Sequence, residues 1–148
     1  MRRVLAIFVL SCLSVLAAPP AAPTFDQVRA EVNAERRARL AIDFAMSAER
    51  EAETAYSDSD LNLTAERLKT VTVAMELAQS SLEASHKTPG RNPAPYKYAE
   101  LKSKELLVRM SDLGRKMDSE ERGMIDPPMA RVQEIHDGWF EGIMERKK

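Results

Sequence analysis

The side chains that most often bind metals or act in catalysis are scarce in this sequence. It contains two histidines, His86 and His136, and one cysteine, Cys12. Zinc and di-iron sites need histidines within spacings such as His-x-x-x-His or Glu-x-x-His, and neither pattern surrounds His136. The Cys-x-x-Cys-His pattern of c-type haem is also absent from the sequence. We therefore predict no metal site.

His136 has two interpretations that the sequence leaves open. It stands between Val132 and Trp139 on an apolar helical stripe, where a partly buried histidine bonded to a neighbour is the simpler reading. Alternatively, His136 and Met110 bind haem b or copper, because antiparallel helices would place them roughly level. Methionines also fill gaps in helical cores. We expect no cofactor, and keep haem b or copper as the alternative.

No other pattern predicts a catalytic residue. The sequence has neither a nucleophile elbow nor a glycine-rich phosphate loop. Its many carboxylates fall on polar helix faces beside basic residues, as with Glu35 and Arg39, and are interpreted as surface pairs. We therefore interpret the protein as non-enzymatic.

A proline-rich hinge divides the chain. Three prolines and one glycine fall within residues 87–95, where no helix can continue. Long segments with helical periodicity lie on both sides. On the first of them alanines recur at alternating spacings of four and three, typical of a close helix–helix contact. These alanines are Ala34, Ala38, Ala41, Ala45, Ala48, Ala52 and Ala55.

These patterns predict an all-α fold. We expect a four-helix bundle made of two antiparallel helical hairpins in up-down-up-down order. The first helix is predicted to run unbroken from Thr24 to Tyr56, and the last to restart at Pro127 after a polar connection. The predicted single domain covers residues 24–148, with hairpins 24–86 and 96–148 on either side of the hinge.

The N-terminus has the three parts of a secretory signal peptide. Arg2 and Arg3 precede an apolar run of 15 residues, from Val4 to Ala18, which is shorter than the ~20 residues of a membrane span. We predict a signal peptide over residues 1–17 and a flexible mature N-terminus over 18–23. The protein would then be periplasmic or extracellular, without a membrane span.

The charge of the mature chain disfavours nucleic acid as a partner. Without residues 1–17 the sequence keeps 20 basic and 23 acidic side chains, a net charge of −3, whereas nucleic-acid binding needs a basic excess. The most basic segment, residues 87–116, has eight basic and three acidic residues. We interpret it as a solvated helix face.

Two short segments carry a resemblance to known families. Leu61-Asn62-Leu63-Thr64-Ala65-Glu66-Arg67 resembles the Leu-Thr-x-x-Gln motif of bacterial periplasmic stress chaperones and metal-stress adaptors, with arginine in place of glutamine. Residues 132–137 and the Gly142-Ile143-Met144 ending resemble small exported all-helical bacterial proteins of unassigned function. Both resemblances imply an exported helical protein, and the first implies a chaperone with an exposed apolar surface.

Together these observations favour a binding or interaction protein of the bacterial envelope. Another envelope protein is one partner that this hypothesis allows, and it leaves the oligomeric state open. The haem- or metal-binding bundle and the periplasmic stress chaperone are the two alternatives.

The export prediction can be tested on the protein from its native host. N-terminal sequencing of the mature form is expected to begin between Ala18 and Thr24, because Val15-Leu16-Ala17 offers an acceptable cleavage site. A mature protein that retains residues 4–16 would contradict it.

Overall fold

The computed structural model describes residues 22–145. In this range five α-helices pack against one another and there is no strand. The predicted all-α class is confirmed. α2 packs along α3, and α4 along α5; the two pairs meet where α2 contacts α4 and α3 contacts α5, while α1 lies on α2. The helices are α1 (Phe25–Ala30), α2 (Ala34–Ser57), α3 (Leu61–Ala84), α4 (Pro93–Lys116) and α5 (Arg122–Met144).

The ends of the chain fall outside this description. The predicted signal peptide, its cleavage site and the three basic residues 146–148 all lie outside residues 22–145. Within the described part, no helix combines the length and apolar character needed to cross a bilayer.

The alanine stripe of α2 forms the contact with α3. Ala34, where the helix begins, is partly exposed, and the other six alanines of the stripe are buried. Small side chains let two helix axes approach closely, so that larger residues of the partner fill the space between them. On α3 these are Leu68, Val71, Met75 and Leu82, each at most 2% exposed.

The first helix is broken, which corrects the prediction of an unbroken helix from Thr24 to Tyr56. Thr24 caps α1 in a reciprocal pair with Gln27, but the backbone becomes extended at Glu31. Asn33 then caps α2 by accepting a hydrogen bond from the backbone N–H of Arg36 at 2.9 Å. An asparagine side chain competes in this way with helical backbone bonds, so a break needs neither proline nor glycine.

The break lets α1 fold back along α2. The rings of Phe25 and Phe44 lie 5.2 Å apart between centroids, whereas 19 residues of continuous helix would separate them by about 28 Å. Arg37 holds the turn in place: it donates to the Glu31 carbonyl at 2.7 Å and to Ser81 Oγ on α3 at 2.8 Å. Val28 of α1 is fully buried as a result.

The last helix begins earlier than predicted. Asp118 Oδ1 accepts the backbone N–H of Glu121 at 2.8 Å, and Glu121 Oε2 accepts that of Asp118 at 3.1 Å. This reciprocal cap starts the turn that leads into α5 at Arg122, so Pro127 and Pro128 lie inside the helix instead of restarting it. Ile125, in the turn before the two prolines, is fully buried.

The hinge packs against the end of α5. His86 has a left-handed backbone (φ 54°) just after α3, and the Tyr96 hydroxyl donates to the Lys87 carbonyl at 2.7 Å. A Cβ on Gly142 would lie 2.9 Å from Cγ of Pro89. Glycine at position 142 is therefore required by the proline ring of the hinge.

Two glycines of α5 make a matched pair for testing this contact. Gly142→Ala is expected to destabilise the fold by about 1–3 kcal/mol, because the rigid Pro89 ring cannot move aside cheaply. Gly138→Ala meets nothing within 4 Å and is expected to stabilise by about 0.5–1 kcal/mol through helix propensity. Chemical denaturation measures both, and equal effects would show that the hinge does not pack there.

Candidate functional site

A cleft of about 460 Å³ opens where α2 and α4 begin and α3 ends. Its floor is apolar and is formed by Ala38, Ile42, Leu82 and Pro95. Ile42 and Leu82 belong to the core, at 1% and 2% exposure, so the floor is continuous with the interior. The rim is polar and carries Asn33, Glu35, Arg36, Arg39 and Tyr98.

Tyr98 organises one wall of the cleft. Its hydroxyl donates a hydrogen bond of 2.6 Å to Asp43 Oδ1 on α2. Burial, followed by this hydrogen bond, raises the pKa of Tyr98 to about 12. The phenol is therefore protonated at physiological pH, and its hydroxyl proton lies in the hydrogen bond to Asp43.

Arg39 lies over the ring of the same tyrosine. The guanidinium carbon is 4.3 Å from the centroid of the Tyr98 ring, within the range of a cation–π contact. Stacking uses the face of the guanidinium and leaves its N–H groups, which point outward in its plane, available. Among residues 22–145, Arg39 forms no ion pair and donates no side-chain hydrogen bond.

The other charges on the rim are already paired. Arg36 Nε lies 3.2 Å from Glu31 Oε2, and Glu35 forms an ion pair with Lys87 of the hinge. The predicted surface pair of Glu35 with Arg39 is therefore wrong: the carboxylate pairs with Lys87, and Arg39 stacks on Tyr98. Among the charged rim residues, Arg39 keeps its donors unpaired.

The two residues singled out for cofactor binding lie apart from the cleft and from each other. His136 is partly exposed, and its Nδ1 lies 2.8 Å from Ser103 Oγ. Met110 is fully buried. Ser103 and Met110 are seven residues apart on α4, about 10 Å along the helix axis. His136 is thus level with Ser103, and the structure does not bring it together with Met110.

The apolar stripe of α5 is rotated away from His136. Its buried residues are Ile125, Val132, Ile135 and Trp139, whereas Phe140, beside His136, is 46% exposed. The rings of His136 and Phe140 stack at 6.5 Å. Across the described part of the chain, no group of three histidine, cysteine, aspartate or glutamate side chains lies close enough to hold an ion.

A second polar feature lies at the contact between α2 and α4. Glu49 is 1% exposed, and its Oε2 is 3.4 Å from Arg109 Nη1, a long distance for a charged pair. Its Oε1 has no hydrogen-bond partner among the described residues. Burial raises the pKa of Glu49, and the opposing effect of Arg109 does not cancel it.

These residues differ in how far the sequence alone predicts their contacts. Arg39 and Tyr98 lie 59 positions apart in the sequence, so their stacking depends on the contact between α2 and α4. Glu49 follows the buried Ala48 and shares a helix face with Ala45 and Ala52. A glutamate so close to an apolar stripe was a readable sign of a buried carboxylate.

Glu49 is expected to make stability depend on pH. Because its folded pKa is raised above the usual 4.5, stability is present below the unfolded pKa and is lost as pH rises through the folded one. Glu49→Gln removes this ionisation. Its stability relative to wild type is therefore expected to increase as pH rises above 4.5, the usual pKa of a glutamate, in denaturation curves.

Glu83→Gln, at an exposed position on α3, is the matched control for that measurement. The stability difference between this variant and wild type is expected to stay nearly constant over the same range. If the stability difference of Glu49→Gln is as constant with pH as that of Glu83→Gln, the pKa of Glu49 is not raised in the folded protein.

Comparisons with known proteins identify no relative of this chain. No family model, no curated protein and no solved structure matches the chain. What the protein does is inferred from its own residues.

Proposed function

We propose that this is an exported, non-enzymatic binding protein of the bacterial envelope, which takes a small ligand in the cleft between α2 and α4. The single observation that carries the proposal is the cleft itself, with an apolar floor and an arginine held on its rim. Its volume of about 460 Å³ lies in the range of small-molecule sites, ~300–1,000 Å³. Arg2, Arg3 and the apolar run after them support export.

The framework of the site is a four-helix bundle in up-down-up-down order, to which α1 is an addition. Residues 58–60 join α2 to α3, and five residues join α4 to α5. Connections this short favour antiparallel neighbours. The contacts of α2 with α4 and of α3 with α5 support the closing of the two hairpins into one bundle.

The chemistry of the rim favours binding over catalysis. Arginine is protonated at every physiological pH, so Arg36 and Arg39 cannot exchange protons with a substrate. Tyr98 has a pKa of about 12 and its proton is bonded to Asp43. Glu35 is held by Lys87. These groups position charge and donate hydrogen bonds, which is what a binding site needs.

Filling the cleft tests the proposal. Ala94 is exposed at the start of α4 and lines the cleft, so Ala94→Trp is expected to occupy it without disturbing the core. Wild-type protein from its native envelope is expected to retain a small molecule in native mass spectrometry, and Ala94→Trp is expected to lose it.

Ala130→Trp is the matched control, because Ala130 is an exposed alanine of α5 outside the cleft. This variant is expected to retain the ligand. Wild-type protein that carries no small molecule, or equal retention by both tryptophan variants, would contradict the proposal.

A further inference from the structure

The cleft has one cationic group whose donors are unpaired. Arg36 forms an ion pair with Glu31, and Glu35 forms one with Lys87. Arg39 is stacked on Tyr98 and has no carboxylate partner in residues 22–145. Asp43, one turn further along α2, accepts the Tyr98 hydroxyl and partly balances the charge of Arg39. What the rim offers a ligand is therefore the unpaired N–H groups of Arg39.

The geometry of this charge suits a carboxylate. The ring of Tyr98 lies beneath the guanidinium carbon of Arg39 at 4.3 Å, and the hydroxyl of that ring donates a 2.6 Å hydrogen bond to Asp43. The N–H groups of a guanidinium form a planar fork that matches the two oxygens of a carboxylate. An arginine that is already oriented loses less side-chain entropy on binding than a free one.

The floor of the cleft requires an apolar portion in the same ligand. Ile42 and Leu82 are already buried at 1% and 2% exposure. The hydrocarbon that a ligand can cover belongs to the half-buried Pro95 and to the exposed Ala94 beside it, and an apolar tail removes this surface from water. One arginine with the Asp43 carboxylate nearby matches a monoanion better than a phosphate monoester, which carries nearly two negative charges at neutral pH.

We propose that the cleft binds a monocarboxylate with an apolar tail, whose carboxylate is held by Arg39 and whose tail lies on Ala94 and Pro95. This inference rests on the proposed function, because it names the class of ligand that the same cleft takes. It predicts that recognition depends on the negative charge of the ligand as well as on its apolar surface.

Three probes of equal chain length separate these contributions. Octanoate carries one negative charge, octanamide carries none, and octyl phosphate carries nearly two. In calorimetric titrations of the full mature chain, octanoate is expected to bind at least about tenfold more tightly than octanamide, the typical contribution of a charged hydrogen bond. Octanoate is also expected to bind more tightly than octyl phosphate.

Substitutions of two arginines on α2 locate the recognition. Arg39→Gln is expected to abolish the preference for octanoate over octanamide and to leave octanamide binding unchanged. Arg50→Gln is the control, because Arg50 is exposed on the same helix and outside the cleft; it is expected to keep the preference. The helical circular dichroism of both variants reports whether they fold.

Several outcomes would overturn the inference: equal affinity for octanoate and octanamide, tighter binding of octyl phosphate, or an undiminished preference in Arg39→Gln. Its failure can be told apart from failure of the proposed function. If native protein carries a neutral ligand that Ala94→Trp excludes, the cleft binds ligands and only the carboxylate class is wrong. If native protein carries no ligand and no probe binds, both proposals fail.

Discussion

Six buried alanines on one face of α2 determine how the other helices pack. Their side chains add almost no bulk, so α3 lies close to α2, and its own Leu68, Val71 and Met75 fill the space between the helices. Close-packed interiors tolerate little change of volume, which makes this contact the most demanding one in the fold. Because the alanines face α3, a different face of α2 is left to contact α4.

That second face of α2 is polar, and it explains the unequal charges of the chain. Residues 24–86 have 7 basic and 12 acidic side chains, whereas 87–116 have eight basic and three acidic. Glu49 of α2 meets Arg109 of α4, and Glu53 meets Lys116, whose Nζ lies 2.8 Å away. The interpretation of the basic segment as a solvated face is therefore incomplete, because part of its charge joins α4 to α2.

Features encoded in local sequence could be predicted, and features that depend on tertiary contact could not. The six alanines from Ala38 to Ala55 are buried as their spacing predicted, because helical periodicity alone specifies which face of α2 they share. The break at Asn33 was missed because a side-chain cap competes with the helix without proline or glycine. His136 is partly buried and bonded to Ser103, as its simpler interpretation predicted, although the fully buried stripe of α5 runs through Ile135 and Trp139. The cleft was not foreseen, since its walls come from three helices.

Tyr98 links the contact between α2 and α4 to the chemistry of the cleft. Its hydroxyl bonds Asp43 of α2, and its ring supports Arg39 on the same helix. A shift of α4 along α2 would break the hydrogen bond between Tyr98 and Asp43. The same shift would move the Tyr98 ring away from the Arg39 guanidinium. The orientation of Arg39 is thus set by the same interaction that aligns the two helices. A binding group that the fold orients in this way needs little rearrangement to receive a ligand, and such preorganisation lowers the entropic cost of binding.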